Sequence, residues 1–197
     1  MPPSRKEISH DRILETAARA LRQNGFEGVG VADVMKQAGL THGGFYAHFP
    51  NRNAMLAEAV VRAGQESSLA IGLAIDKRCN AGVSAFTALV ESYLSDSHMS
   101  ASDTGCPVAS LSSEMPRQPL AVQVASAQRV QALVNRVAQA LPHAEGKVTD
   151  RAQAFVVTST LVGALQLARA MGDAKQGRAL LASTRHLLLA QYEPLQH

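Results

Sequence analysis

The chain is poor in cysteine, with two in 197 residues, Cys79 and Cys106. So few cannot form a disulfide framework, which excludes the small stapled folds of secreted proteins and leads us to expect a protein of the reducing cytoplasm. Long apolar runs are missing as well. No stretch of about eighteen apolar residues occurs, so no membrane helix is expected. The opening MPPSRKEISHDR is charged where a signal peptide needs an apolar centre. There is no convincing alternating strand pattern, no internal repeat and no low-complexity tract. Motifs of catalysis are lacking too: no phosphate loop, no dinucleotide fingerprint and no H-E-x-x-H pair. His42 and His48 stand too far apart to share adjacent helical turns, so neither a metal nor a cofactor is expected. Neither charge sign is in large excess. The net charge of +3 and pI of about 9.1 fit contact with nucleic acid without demanding it.

What is present is helical periodicity, in a chain whose 46% hydrophobic content suffices for a packed core. A first helix is predicted over about Arg5 to Asn24. Ile13, Ala17 and Leu21 share one face, Arg12, Glu15, Arg19 and Arg22 avoid it, and Gly25 ends it. A short helix over about Ala32 to Gln37 stops at Gly39, and Leu40 is the apolar residue of the turn. Thr41 is placed to cap a second short helix, about His42 to His48. Pro50 then breaks the chain, and Asn51 can cap a longer helix reaching about residue 77, striped by Met55, Leu56, Ala59, Val60 and Ala63. Further helices are expected over about Gly82 to His98, from Cys106-Pro107 to Pro116, over Leu120 to Leu141, near Val148 to Met171, and over Lys175 to Tyr192. The class is all-α, with about nine helices. The domains expected are residues 1–50 and 51–197, with the helix of about 51–77 bridging them.

Two short helices joined by a tight glycine turn make a helix-turn-helix. Its second helix must enter the DNA major groove while the first braces it. Val34, Met35, Leu40, Phe45 and Phe49 supply the apolar underside. In QAGLTHGGFYAHFPNR, Gly43 and Gly44 fall where the second helix begins, and each glycine costs roughly 1 kcal/mol against alanine inside a helix. The expense makes sense if that end meets DNA. Absent side chains let the backbone approach, and the unpaired amides of the first turn face phosphates or base edges. The competing reading is a glycine loop inside an ordinary helical core.

The segment VADVMKQAGLTHGGFYAHFPNRNAMLAEAV resembles the helix-turn-helix signature of the TetR family of transcriptional regulators, over about Arg12 to Val61. The resemblance implies a two-fold dimer whose first three helices bind a double-stranded operator and whose remaining helices hold an effector pocket and the dimer interface. It places Thr41, His42 and Gly43 at the tip of the reading helix, with Gly44 behind them. Tyr46 and His48 lie on its exposed side, and Arg52 is set to pair with phosphate. Many members carry Lys or Pro at position 43 and Thr or Ser at 44. With glycine at both, base readout must rest more on His42, Tyr46 and Lys36 of the preceding helix. Through residue 55 the chain has seven basic and five acidic side chains, a net +2 per reading unit. A pair of units on one duplex doubles it, so affinity should fall steeply with salt.

In the larger half, Cys106 precedes Pro107, a residue that favours the first helical position. That would put the thiol at a helix N-terminus, where thiolate is stabilised. It is either a sensor of electrophiles or oxidants, or a small packing residue. Candidate effector-pocket residues are Phe86, Tyr93, Cys106, Met115, Phe155, Thr158 and Leu165, each with ordinary core as its alternative. Few of them are polar, which leans towards a small apolar or aromatic effector. Phe155, Ser159, Val162 and Gln166, with Leu180, Thr184, Leu187 and Leu188, offer an apolar face, and the resemblance implies that it meets its two-fold mate in a four-helix bundle. An enzyme using Cys106 and a histidine is the rival class, but no histidine sits in a recognisable catalytic motif.

Overall fold

A computed structural model describes residues 2–142 and 151–193. Among these residues the chain forms nine α-helices, two 3-10 segments and no strand, as the periodicity predicts. The helices are α1 (Arg5–Asn24), α2 (Val31–Gln37), α3 (Arg52–Cys79), α4 (Ala85–Tyr93), α5 (Asp96–Ser100), α6 (Pro107–Leu111), α7 (Leu120–Ala140), α8 (Arg151–Ala170) and α9 (Ala174–Tyr192). The 3-10 segments are His42–Ala47, between α2 and α3, and Met115–Arg117, between α6 and α7. Most of the PHAEG turn and the first residues of the helix expected from Val148 lie outside the described residues.

Three expected elements need correction. The helix expected from Cys106-Pro107 to Pro116 ends at Leu111, and Met115–Arg117 is a separate 3-10 turn. The element expected as a short α-helix over His42 to His48 is 3-10, a tighter winding used for short pieces. The helix expected over Gly82 to His98 is two helices. Ser95 is extended and its hydroxyl accepts from the His98 N–H at 3.1 Å, so the chain ends α4 at Tyr93 and starts α5 afresh.

By packing, the chain divides into two compact units, residues 1–67 with 102–129, and residues 68–101 with 130–197. The boundary expected at 50/51 is a division by role, and as such it remains a proposal. In the first unit, α1 opens on a capping box. The Ser4 hydroxyl accepts from the Glu7 N–H at 3.2 Å, and the Glu7 carboxylate accepts from the Ser4 N–H at 2.6 Å. The helix stops at Gly25, whose φ of +71° suits glycine and whose N–H reaches the Leu21 carbonyl at 3.0 Å. Glu114 closes over this glycine. Its carboxylate accepts from the Phe26 N–H at 2.9 Å and lies where a Cβ on residue 25 would sit.

The core of this unit joins Ile13 and Leu21 of α1 with Phe26, Val34, Met35, Phe45, Phe49, Met55, Leu56 and Val60. Leu111, Met115 and Val122 come into the same core from the later segment. Arg22, expected on the outer face of α1, is buried: its side chain is 1% exposed. It donates to the carbonyls of Asp103 and Ala63, the latter at 3.2 Å, and pairs with Glu66 of α3 at 2.8 Å. Leu14, Ala18 and Arg22 fall four residues apart, so spacing puts the arginine on the buried ridge despite its charge.

The second unit is built round α8 and α9, with α4 packed on α9 and α5 on α8. Hydroxyl or carboxylate caps begin three of its helices, from Ser84, Ser95 and Asp173. The close approach of α8 and α9 falls at Gly177, where a Cβ would lie 2.7 Å from the Ala168 carbonyl oxygen. Arg169 donates to the carbonyls of His98, Met99 and Ala101 and so closes the end of α5. His98 is buried beneath the Tyr93 ring, at 4.8 Å between centroids, and its Nδ1 lies 2.7 Å from the Tyr93 carbonyl. Burial holds its pKa down at about 4, and Arg169 adds to the lowering.

Candidate nucleic-acid interface

α2 and the His42–Ala47 segment are joined by a turn that only glycine suits well. Gly39 has φ of +67°, and the Leu40 N–H returns to the Met35 carbonyl at 2.9 Å. Thr41 then stands at the cap position in extended backbone, as expected, although its side chain makes no capping bond. Its carbonyl accepts from the Gly44 N–H at 3.0 Å, which starts the tighter winding. Below, Phe45 and Phe49 are buried and stacked at 5.5 Å, with Tyr46 edge-on to Phe45 at 5.3 Å. This aromatic floor holds a one-sided element: Thr41, His42, Gly43 and Tyr46 are exposed, Tyr46 to 69%. Lys36, at the end of α2, is also exposed.

The two glycines have no cause inside the protein. Neither has a positive φ. A Cβ on Gly43 would meet nothing within 4 Å, and one on Gly44 would make ordinary contacts, 3.5 Å to Thr41 Oγ1 and 3.7 Å to Met35 Cε.

His48 and Arg52 are placed differently from the exposed residues. His48 is half-buried, with its ring 5.8 Å from His10 and 6.4 Å from Phe49, and its Nδ1 is sealed without a partner among the described residues. Burial, followed by the neighbouring His10 and Lys6, holds its pKa below the usual histidine value. Arg52 donates from Nε to the Val29 carbonyl at 2.9 Å and from Nη2 to the Phe26 carbonyl, tying α3 to the α1–α2 turn. Sequence reasoning passed over His10. Its ring stacks on Phe49 at 4.6 Å, and its Nε2 lies 3.0 Å from Glu58 of α3, so it clamps the far end of the 3-10 segment.

The residues named for the effector pocket divide between the units. Cys106 and Met115 are buried in the first, Met115 within its apolar core. Phe86, Tyr93, Thr158 and Leu165 are buried in the second, while Phe155 stands 49% exposed beneath the Arg151 guanidinium. Cys106 occupies the N-cap position ahead of Pro107 and is 5% exposed. Of the residues named for pairing, Phe155, Ser159 and Leu187 are exposed, and Val162, Gln166, Leu180 and Thr184 are half-buried. Leu188 packs inside its own unit. No group of three or more metal-ligating side chains occurs among the described residues, and none of their helices is long and apolar enough to cross a membrane.

An exposed, glycine-tipped element braced by a preceding short helix, in a chain that is all helical among the described residues, has the form of a helix-turn-helix. The family profile for bacterial regulatory proteins of the tetR family matches residues 13–59. The HTH-type transcriptional regulator Rv0196 of Mycobacterium tuberculosis H37Rv is 30% identical over 188 residues, which covers 92% of this chain and 94% of the relative. The chain belongs to the TetR family, and it is a regulator rather than an enzyme. The fold agrees with solved structures. A Cytophaga hutchinsonii regulator of the family matches with a TM-score of 0.74 at 19% identity, over 100% of both chains. Reduced Escherichia coli NemR matches with 0.72 at 18%, over 91% of this chain and 96% of that one.

Proposed function

We propose that this regulator is a cytoplasmic repressor that binds a pseudo-palindromic operator as a homodimer and is released by a small apolar, aromatic or electrophilic effector. The observation that carries the reading is the pair Gly43 and Gly44, which the fold tolerates but does not need. A constraint without an internal cause belongs to an external surface, and duplex DNA is the surface that a short helical tip approaches most closely. Thr41, His42, Gly43 and Gly44 form the tip, Tyr46 and Lys36 its polar flank, and His48 and Arg52 hold its far end, where Arg52 also contributes charge towards phosphate. The dimer follows from reach. One short element reads too few base pairs, so two must sit a helical turn or more apart. The stripe of Phe155, Ser159 and Leu187 is the proposed seam, with Val162, Gln166, Leu180, Thr184 and Leu188 backing it.

Release is proposed as a population shift between two head spacings, carried by α3. Arg22 supports a route, because it ties the Asp103 carbonyl just ahead of α6 to Ala63 and Glu66 of α3. The test is a gel shift on the DNA upstream of the chain's own gene. The wild type should retard it against excess random DNA, and Gly43→Ala should bind about tenfold or more weakly. Equal binding by the two proteins would remove the glycine argument.

A second reading makes Cys106 the trigger, supported by its place at the start of α6. Its burial restricts it to reagents that enter the protein. Replacement by serine should then abolish release by electrophiles; unchanged release would reduce Cys106 to packing.

A further inference from the structure

Arg129 of α7 lies with its side chain across Gly64 of α3, and a Cβ at Gly64 would overlap the arginine Cδ. Glycine is poorly suited to the middle of a 28-residue helix. Here its missing side chain is what admits the arginine stem. The guanidinium so admitted has no counter-charge. Among the described residues no carboxylate comes within ion-pair distance of it. Its Nε is sealed from solvent without an acceptor. One turn earlier on the same face, Ser126 is 2% exposed, and its Oγ is also sealed without a partner.

Buried polar groups are nearly always paired, so two orphans one turn apart call for a reason. The contrast with Arg22 sharpens it, because that buried guanidinium is met by Glu66 and two carbonyls of the same unit. Apolar residues flank the two: Val122 and Ala125 of α7, and Ala63 beside Gly64 in α3, are buried.

The geometry points to an anion subsite in which the Arg129 guanidinium and the Ser126 hydroxyl donate to the carboxylate of a small organic acid. One guanidinium supplies a single charge and a planar fork, which suits a carboxylate better than a phosphate dianion. The apolar neighbours suit the body of the acid. The inference rests on the ligand-responsive reading above and narrows its effector from apolar or aromatic compounds to those that also carry a carboxylate.

The test is thermal unfolding of the full chain at pH 7.5 and fixed ionic strength, with hexanoate, benzoate and 2-naphthoate each set beside its primary amide. At least one acid should raise the midpoint in a saturable way while its amide does not. Arg129→Met should lose that response, and Arg129→Lys, which keeps the charge without the fork, should bind about thirtyfold or more weakly. Ser126→Ala should weaken binding about tenfold. Acids that act no differently from amides, or an acid response retained by Arg129→Met or undiminished in Arg129→Lys, would overturn the subsite and leave Arg129 a stem packed on glycine with its head in solvent. A parallel gel shift keeps the two claims apart: intact operator binding without an acid response sinks the subsite alone, and lost operator binding sinks the regulator reading.

Discussion

Gly43 separates what folding needs from what binding needs. With open space at its Cβ position and no positive φ, Gly43→Ala should leave the thermal midpoint unchanged or raise stability by about 0.5–1 kcal/mol, measured by calorimetry. A loss of stability would mean that the glycine serves the fold. Buried His98 and half-buried His48, by contrast, bear on stability through pH. The folded His98 pKa of about 4 lies below the ordinary value of 6.5, so the unfolded chain takes up the proton first. Stability is therefore indifferent to His98 above about pH 6.5, falls as the pH drops from there towards 4, and levels off below, by roughly 3 kcal/mol in all. His48, lowered for the same reason, adds a smaller loss that also begins below 6.5. Urea unfolding of wild type and His98→Gln between pH 7.5 and 4.5 checks this, and the variant should show the shallower decline. Sequence reasoning found the exposed tip, since glycine, threonine and aromatic spacing are local signals. It did not find that His48 faces His10, because that contact joins residues of different elements.

At the level of elements, the caps and breakers were legible: Gly25, Gly39, Asn51, Pro107 and the ends of α1 and α2 fall where turn chemistry places them. Asn51 accepts from the Ala54 N–H at 2.9 Å, as a cap should. Less legible was the winding of His42–Ala47, which follows from hydrogen bonds three residues apart, such as the Gly44 N–H to the Thr41 carbonyl, that apolar spacing does not report. The break between α4 and α5 was missed because the apolar stripe of Phe86, Leu89, Val90 and Leu94 runs up to it and hides the Ser95 cap. Arg22 was misplaced because its charge outweighed its spacing. Arg22→Ala should lower stability by about 3 kcal/mol, since it removes the buried ion-pair partner of Glu66 and the side-chain donor to the Asp103 carbonyl. In the proposed mechanism it should also blunt the effector's influence on operator binding. Chemical denaturation and a titration with the inducer measure the two effects separately; full stability would contradict the burial argument, and intact induction the coupling.

For the whole molecule, the proposal is a symmetric pair of reading tips, with the pairing face on α8 and α9. Leu187 is 66% exposed and Phe155 49%, so the double change Leu187→Glu and Phe155→Glu should leave each chain folded while sedimentation shifts from dimer to monomer. The class and family were readable from one continuous motif. A site for the proposed effector was not, because the residues named for it are separated in the chain and divide between two packed units. The most direct test of the central claim is a hydroxyl-radical footprint of the protein on its own upstream DNA at low salt. Two protected patches related by a dyad and a helical turn or more apart are expected, both lost when Tyr46 and His42 are replaced by alanine. Uniform cleavage along the duplex, or protection untouched by those replacements, would contradict it.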